Sequence, residues 1–438
     1  MNIFGTKGKT HIEGHKSLTT SAPILELAKE KVAKVYLPLL SPNGKEIKLC
    51  VAEGDKVLVG TKYAERTDFY VPQYSPVSGT VLGKEMRYSA VVGRPINHLV
   101  IENDFTYEEA KDVLKVVSIE DSKEVIFEAI KEAGLVGLGG AGFPTYVKYN
   151  NPQNIHTVLV NAVECEPYLT TDFFATQMEP EMLCKALQFL IKVSGAEKAI
   201  IAYKQHKGVE KEPMEAALEP IVADYPNIEL RRVPDVYPMG WERLLVKTVF
   251  NKEYNMLPSE VGVIVNNVQT IIALGHALLE GKPLTRRLVT ISGDGIANPC
   301  NIWCPIGTPA KTLIDECGGY TADDVNVVPG GPMCTKAVLK DEFPINAQTG
   351  AVTVYKYKYV AAEPCLRCGA CSDHCPMGLQ PVELQIALKS RDTDRMAKLK
   401  GNLCMSCGMC SYVCPSKIDV TGNMNKMKLQ LKLAQMKK

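Results

Sequence analysis

The run Cys365-x-x-Cys368-x-x-Cys371-x-x-x-Cys375-Pro376 recurs as Cys404-x-x-Cys407-x-x-Cys410-x-x-x-Cys414-Pro415. Three thiolates so spaced can curl around one iron–sulfur cubane, and the cysteine before the proline points away toward a sister site. The spacing predicts two [4Fe–4S] clusters with crossed ligation. One takes Cys365, Cys368, Cys371 and Cys414; the other takes Cys404, Cys407, Cys410 and Cys375. The alternative is a pair of zinc knuckles or a disulfide scaffold. Zinc sites close with two pairs or with histidine, and neither accounts for a fourth cysteine followed twice by proline. A chain built this way moves electrons.

A second constellation is Gly137-Leu138-Gly139-Gly140-Ala141-Gly142-Phe143-Pro144-Thr145. It satisfies G-x-G-x-x-G but follows a helical pattern, whereas a dinucleotide fingerprint follows a strand. Residues lacking Cβ still expose backbone N–H groups to a phosphate. A helix expected after Pro144 would add its positive end, with Lys148 one turn in as counter-charge. A plain glycine-rich connection is the alternative on these residues alone. Glu164 and Glu166 flank Cys165 at a strand end, as acceptors for ribose or amide groups or else as solvated loop carboxylates. Phe143 reads as core, Cys165 as an inert thiol, and Cys300-x-x-x-Cys304 as a pair without a clear partner.

These groups must be held by several domains, because 438 residues exceed one compact core. Lys and Arg number 50 against 49 Asp and Glu, so nothing argues for nucleic acid. Met1 to Lys16 has no apolar core of signal type. A reducing cytoplasm is expected, with Cys50, Cys184, Cys317 and Cys334 as buried thiols. The uncharged stretch Val261 to Leu279 carries Asn266, Asn267, Gln269 and His276. These are costly in hydrocarbon, so it reads as strand–turn–helix and no transmembrane segment is predicted.

The fold class is multidomain α/β. Residues 1–115 alternate short strands with Gly54-Asp55, Gly60 and Ser78-Gly79 turns, a lipoyl- or biotinyl-like half-barrel without the modified-lysine signature. Residues 116–255 alternate helix and strand, an α/β domain with a mostly parallel sheet. Residues 256–345 fit a small β-grasp-like module with a helix near Pro309 to Cys317. Residues 350–438 form the cluster domain, with one helical stretch at Val382 to Lys400 and a terminal helix from Asn423 packed against the clusters.

Gly-Gly-Ala-Gly-Phe-Pro-Thr145, Asn161-Ala-Val-Glu164-Cys-Glu166-Pro167, Tyr237-Pro-Met-Gly240-Trp-Glu242 and Val265-Asn266-Asn267-Val268-Gln269-Thr270 occur in that order. Together they resemble the FMN- and NADH-binding subunit of respiratory complex I. With a half-barrel in front and two cluster runs behind, nearly the whole chain is similar to the RnfC family of Rnf-complex proteins. A cobalamin reductase shares these modules in another order. The resemblance implies a central flavin domain, an SLBB-like β-grasp, and FMN, NAD(H) and two [4Fe–4S] clusters as cofactors. It makes Gly137, Gly139, Gly140, Gly142 and Lys148 the phosphate cradle of FMN. It places Asn161, Glu164 and Glu166 along the ribityl chain and ring edge, and Asn266, Asn267 and Thr270 on the other side. Tyr237, Gly240 and Glu242 would border the nicotinamide pocket.

Two departures stand out. Trp241 occupies a position where the family carries a small or acidic residue, and Gly5 to His11 lacks the usual opening motif. NADH yields two electrons as hydride while a cluster takes one, so a flavin must lie between them. The implied role is an NADH-dependent electron-transfer subunit of an Rnf-type ferredoxin:NAD oxidoreductase. Its implied partners are the Rnf membrane subunits, with a cytoplasmic position or one on the cytoplasmic membrane face. The alternatives are the same module in a soluble reductase complex, of methylenetetrahydrofolate reductase or proline reductase type, and a cluster-only wiring scaffold.

Overall fold

The computed structural model describes residues 10–140 and 142–436. Positions 5–9 of the opening stretch lie outside the described residues. The expected N-terminal strands form two antiparallel sheets. One orders Lys34–Pro38, Arg94–Asn103, Gly79–Ser89 and Lys56–Val57; the other orders Ile47–Leu49, Lys62–Arg66 and Pro72–Tyr74. Alternation along Lys34–Pro38 buries Val35 and Leu37, which pack with Leu99 and Ile101.

That core does not stop at the half-barrel. It continues into Val289, Ile302, Leu313 and Val352 of the β-grasp-like module. The strand Ile24–Glu26 also pairs in parallel with Cys300–Pro305. Two segments expected to be separate thus share one hydrophobic interior. The module's five-stranded sheet closes with Ala351–Lys356, so it extends past residue 345.

The central sheet is wholly parallel, in the order Ile228–Pro234, Lys198–Gln205, Thr157–Asn161, Val263–Asn267. The helices Pro180–Ser194 and Val268–Glu280 bury Leu183, Leu187, Leu190, Ile271, Leu274 and Leu278 on one face. Glu242–Phe250 buries Leu245 and Val246 on the other. The expected boundary at 255 is corrected here. Val263–Asn267 pairs with Thr157–Asn161, so the flavin domain runs on through Glu280. Alternation shows that a segment is a strand, but not which sheet it joins.

In the C-terminal domain the expected single helix from Val382 to Lys400 is two, Pro381–Lys389 and Thr393–Lys398. Arg391 takes φ 55°, and the Asp392 side chain accepts from Arg395 N–H to start the second helix. Val420–Gln435 packs Met424, Met427 and Leu431 onto Leu384, Ala387 and Met396. Among the described residues no helix is long and apolar enough to cross a membrane.

Several single-residue expectations change. Cys184 and Cys317 are buried, but Cys50 and Cys334 lie in exposed positions on loops. Cys300 meets Cys317 at Sγ–Sγ 3.4 Å rather than Cys304. Phe143 is 40% exposed and packs edge-on against Phe69 at 5.8 Å, so it is not core.

Candidate functional site

Asn161 and Asn267 end adjacent parallel strands in register, at the strand ends where open α/β sheets take ligands. Asn161 Nδ2 donates to the Gly240 carbonyl at 2.6 Å, drawing in the Tyr237–Glu242 turn. The Asn267 side chain accepts from Gln269 N–H and Thr270 N–H, capping the helix Val268–Glu280. Its Nδ2 donates to Asp172 at 2.8 Å. The glycine loop is tied to that helix by Leu138 N–H donating to Thr270 Oγ1 at 3.0 Å. Gly142, at φ 61°, packs so closely that a Cβ would fall 1.2 Å from Gln348 Nε2.

These elements enclose a cavity of about 980 Å³. Of the residues expected at the site, Gly137, Gly139, Gly140, Lys148, Asn161, Glu164, Glu166, Gly240, Glu242 and Asn267 line it, as does Trp241. Gly142, Asn266, Thr270 and Tyr237 stand behind its wall. Asn266 donates to Tyr149 Oη at 2.5 Å, bracing the turn that carries Lys148. Tyr237 is buried and donates to the Cys407 carbonyl at 2.6 Å, which places it against the cluster domain rather than in a nicotinamide pocket.

After Pro144 the chain makes only a 3-10 turn, Thr145–Tyr149. The helix N-terminus beside the glycine loop is instead that of Val268–Glu280. Lys148 Nζ donates to the Val265 carbonyl at 2.6 Å. Burial lowers its pKa, and the field of Glu242 opposes this.

The two glutamates are neither solvated nor free. Glu164, at φ 39°, accepts from Asp172 N–H at 2.8 Å and Phe173 N–H at 3.2 Å, holding the start of Thr171–Met178. Glu166 accepts from the backbone N–H groups of Met333 at 2.7 Å and Cys334 at 3.1 Å. Burial raises its pKa against those bonds. Cys165 lines the cavity beside Gly240, and burial pushes its thiol up to about 11, which suits an inert group.

Three cavity residues escape local pattern reading: Asp172, Gln269 and Arg287. Asp172 accepts from Gln269 Nε2 at 2.6 Å, and burial, with Glu164 next, pushes its carboxyl up to about 6. Gln269 Oε1 accepts from Arg287 Nη1 at 3.0 Å. Gln269 lies inside the Val265–Thr270 motif without a role expected of it; Asp172 and Arg287 belong to no motif.

Cys375, Cys404, Cys407 and Cys410 line one small cavity with Leu379, Met409 and Met424. This is the crossed set. In the other set, Cys365 and Cys368 are exposed while Cys371 and Cys414 are half-buried. Glu363 N–H donates to Ser416 O at 2.9 Å and Ser416 Oγ to Pro364 O at 3.0 Å, which brings the Cys414 end beside Cys365. Backbone N–H groups of Leu379 and Arg367 donate to the sulfurs of Cys375 and Cys365, each at 3.4 Å. Such bonds are expected around iron–sulfur ligands. Among the described residues no three Cys, His, Asp or Glu side chains gather at single-ion distance. Thiols set around a space, with N–H groups on the sulfurs, fit a cluster better than zinc. Cys404 lines both this cavity and the large one.

The cavity's donor set fits a flavin nucleotide: a glycine loop, a helix N-terminus, and a buried guanidinium whose Nε and Nη2 have no partner. Residues 130–276 match the Nuo51 FMN-binding domain. Residues 4–106 match the RnfC barrel sandwich hybrid domain, 288–337 the SLBB domain and 361–418 a 4Fe-4S dicluster domain. The chain therefore carries an FMN-binding domain and a dicluster domain, with NAD as a substrate rather than the resident cofactor expected from the sequence. It is 32% identical to the RnfC-type component of the Na(+)-translocating ferredoxin:NAD(+) oxidoreductase complex of Acetobacterium woodii, covering 88% of each chain. It is also 32% identical to the corresponding component of the proton-translocating ferredoxin:NAD(+) oxidoreductase complex of Clostridium ljungdahlii, over 91% of this chain and 87% of that one. An NAD+-reducing [NiFe]-hydrogenase crystal structure aligns at TM-score 0.50 and 20% identity, over 72% of this chain and 63% of that one, a likeness of fold. On the four matched domains in this order, and on identity along most of its length, the chain belongs to the RnfC family of the Rnf ferredoxin:NAD oxidoreductase complex.

Proposed function

We propose that this chain links NAD(H) to a one-electron carrier within an ion-translocating ferredoxin:NAD oxidoreductase complex. The carrying observation is that Cys404 forms part of the wall of the cavity that the glycine loop also lines. Bound FMN would supply the exchange between hydride and single electrons that the two cysteine sets need.

Gly137, Gly139 and Gly140 present backbone to the flavin phosphate, and Gly142 lets the loop close. Lys148 and the capped N-terminus of Val268–Glu280 add positive potential. Asn161 and Asn267 orient ligand from the strand ends, with Asn266 and Thr270 bracing from behind. Glu164 and Glu166, already bonded to backbone N–H groups, keep spare lone pairs for ribityl hydroxyls. Gly240, Trp241 and Glu242 border the NADH entrance, where the indole stacks on nicotinamide. The Cys404 set faces the cavity and the Cys365 set faces solvent, which orders them as inner and outer relays. The outer set is where a partner subunit docks.

The test is NADH-dependent viologen reduction by the purified protein, reconstituted with iron, sulfide and FMN. Reduction with one FMN and about eight irons per chain is expected. FMN and both clusters present without NADH-driven reduction would sink the NADH assignment.

A further inference from the structure

Arg287 lies on the strand Arg286–Ser292 of the β-grasp-like module, and only 2% of it is exposed. Among the described residues it heads the fully buried side chains by volume. Nη1 donates to Gln269 Oε1 at 3.0 Å, whereas Nε and Nη2 have no partner. Asp172 is the nearby carboxylate whose field supports its charge, but both Asp172 oxygens already accept from side-chain amides, those of Gln269 and Asn267. Burial pulls the guanidinium down to about 10, which leaves it charged at neutral pH. A buried cation with unused donors is costly unless an anion meets it. Its side chain forms part of the wall of the large cavity, and the run Gly137 to Thr145 carries no basic residue of its own.

We propose that Arg287 is the cation for a negatively charged group of the bound flavin, an inference that rests on the flavin reading above. The group is either the phosphate or the charge that reduction leaves on the pyrimidine edge of the ring. Both are anions that a rigid guanidinium fork pairs with, or stabilises through the low-dielectric wall. The β-grasp-like module then contributes to the flavin site and does not merely support it.

The test uses the full chain with its clusters, stripped of flavin and titrated with FMN and with riboflavin by fluorescence quenching. The potential of the bound flavin is read by spectroelectrochemistry. If the phosphate is the partner, Arg287→Gln weakens FMN at least tenfold and leaves riboflavin unchanged. If the reduced ring is the partner, both flavins bind as before and the potential moves negative. Arg287→Lys recovers part of either effect. Cluster absorbance and the melting temperature report folding, and Arg287→Met repeats the test if the Gln variant does not fold. FMN affinity and potential both unchanged in a folded neutral variant would overturn the proposal, as would a change confined to the KM for NADH. A wild-type protein that binds neither flavin would overturn the flavin reading itself.

Discussion

Tyr237 donates its hydroxyl proton to the carbonyl of Cys407 across 2.6 Å, joining the turn beside the flavin cavity to a cysteine of the inner cluster set. The same hydroxyl lies 3.4 Å from Glu166 Oε2. Gly408, the next residue, lies so close to the β-grasp-like module that a Cβ would fall 2.1 Å from the Met333 carbonyl. The interface between flavin and cluster domains is therefore closed at two successive residues. Tyr237→Phe should leave a buried carbonyl short of a donor and cost about 1–3 kcal/mol. Thermal unfolding of the loaded protein reads this, and an unchanged melting temperature would mean the bond is not formed.

Crossed ligation makes a pairwise prediction. Cys375→Ser should erase the same electron paramagnetic resonance signal as Cys404→Ser, and Cys414→Ser the same as Cys365→Ser. Because Cys404 lines the flavin cavity and Cys365 is exposed, Cys404→Ser should also slow NADH-driven viologen reduction more. Signals that pair within each run would refute the crossing.

Lys148→Met tests the phosphate cradle. Its ammonium is buried and donates to the Val265 carbonyl. The substitution should weaken FMN by about tenfold or more while sparing riboflavin, since a charge-assisted bond contributes about 1.5–3 kcal/mol. Equal loss for both flavins would point to collapse of the turn instead.

Trp241→Gly should raise the KM for NADH several-fold and leave FMN content unchanged, because the indole lies at the cavity wall beside Gly240 and Glu242. An unchanged KM would remove the stacking role.

Asp172 makes stability of the flavin-free protein depend on pH. Its folded pKa, about 6, lies above the ordinary value of 3.8. The folded state therefore binds more protons than the unfolded state between those values, and stability falls as pH rises through them. Asp172→Asn should flatten that slope, by an amount on the order of a few kcal/mol. Urea titrations at about pH 4.5 and about pH 7 check this, and an equal pH slope in both proteins would exclude it.

Local pattern carried much of this protein. Cysteine spacing alone announced two cubanes and their crossing, because thiolate reach is set over a few residues of chain. Periodicity placed the strand at Thr157 and the helix at Val268, since alternation and helical repeat report conformation within one element. Hydrogen-bonded registers lay beyond it: that Val263–Asn267 joins the flavin sheet, and that Ile24–Glu26 joins Cys300–Pro305. Glu164 and Glu166 were visible as residues but not as groups already occupied by backbone N–H donors. Arg287 reaches the cavity from another module, Tyr237 faces a cluster, and Cys404 borders two sites at once. Those facts depend on which apolar faces bury one another across hundreds of residues, and only the packed chain decides that.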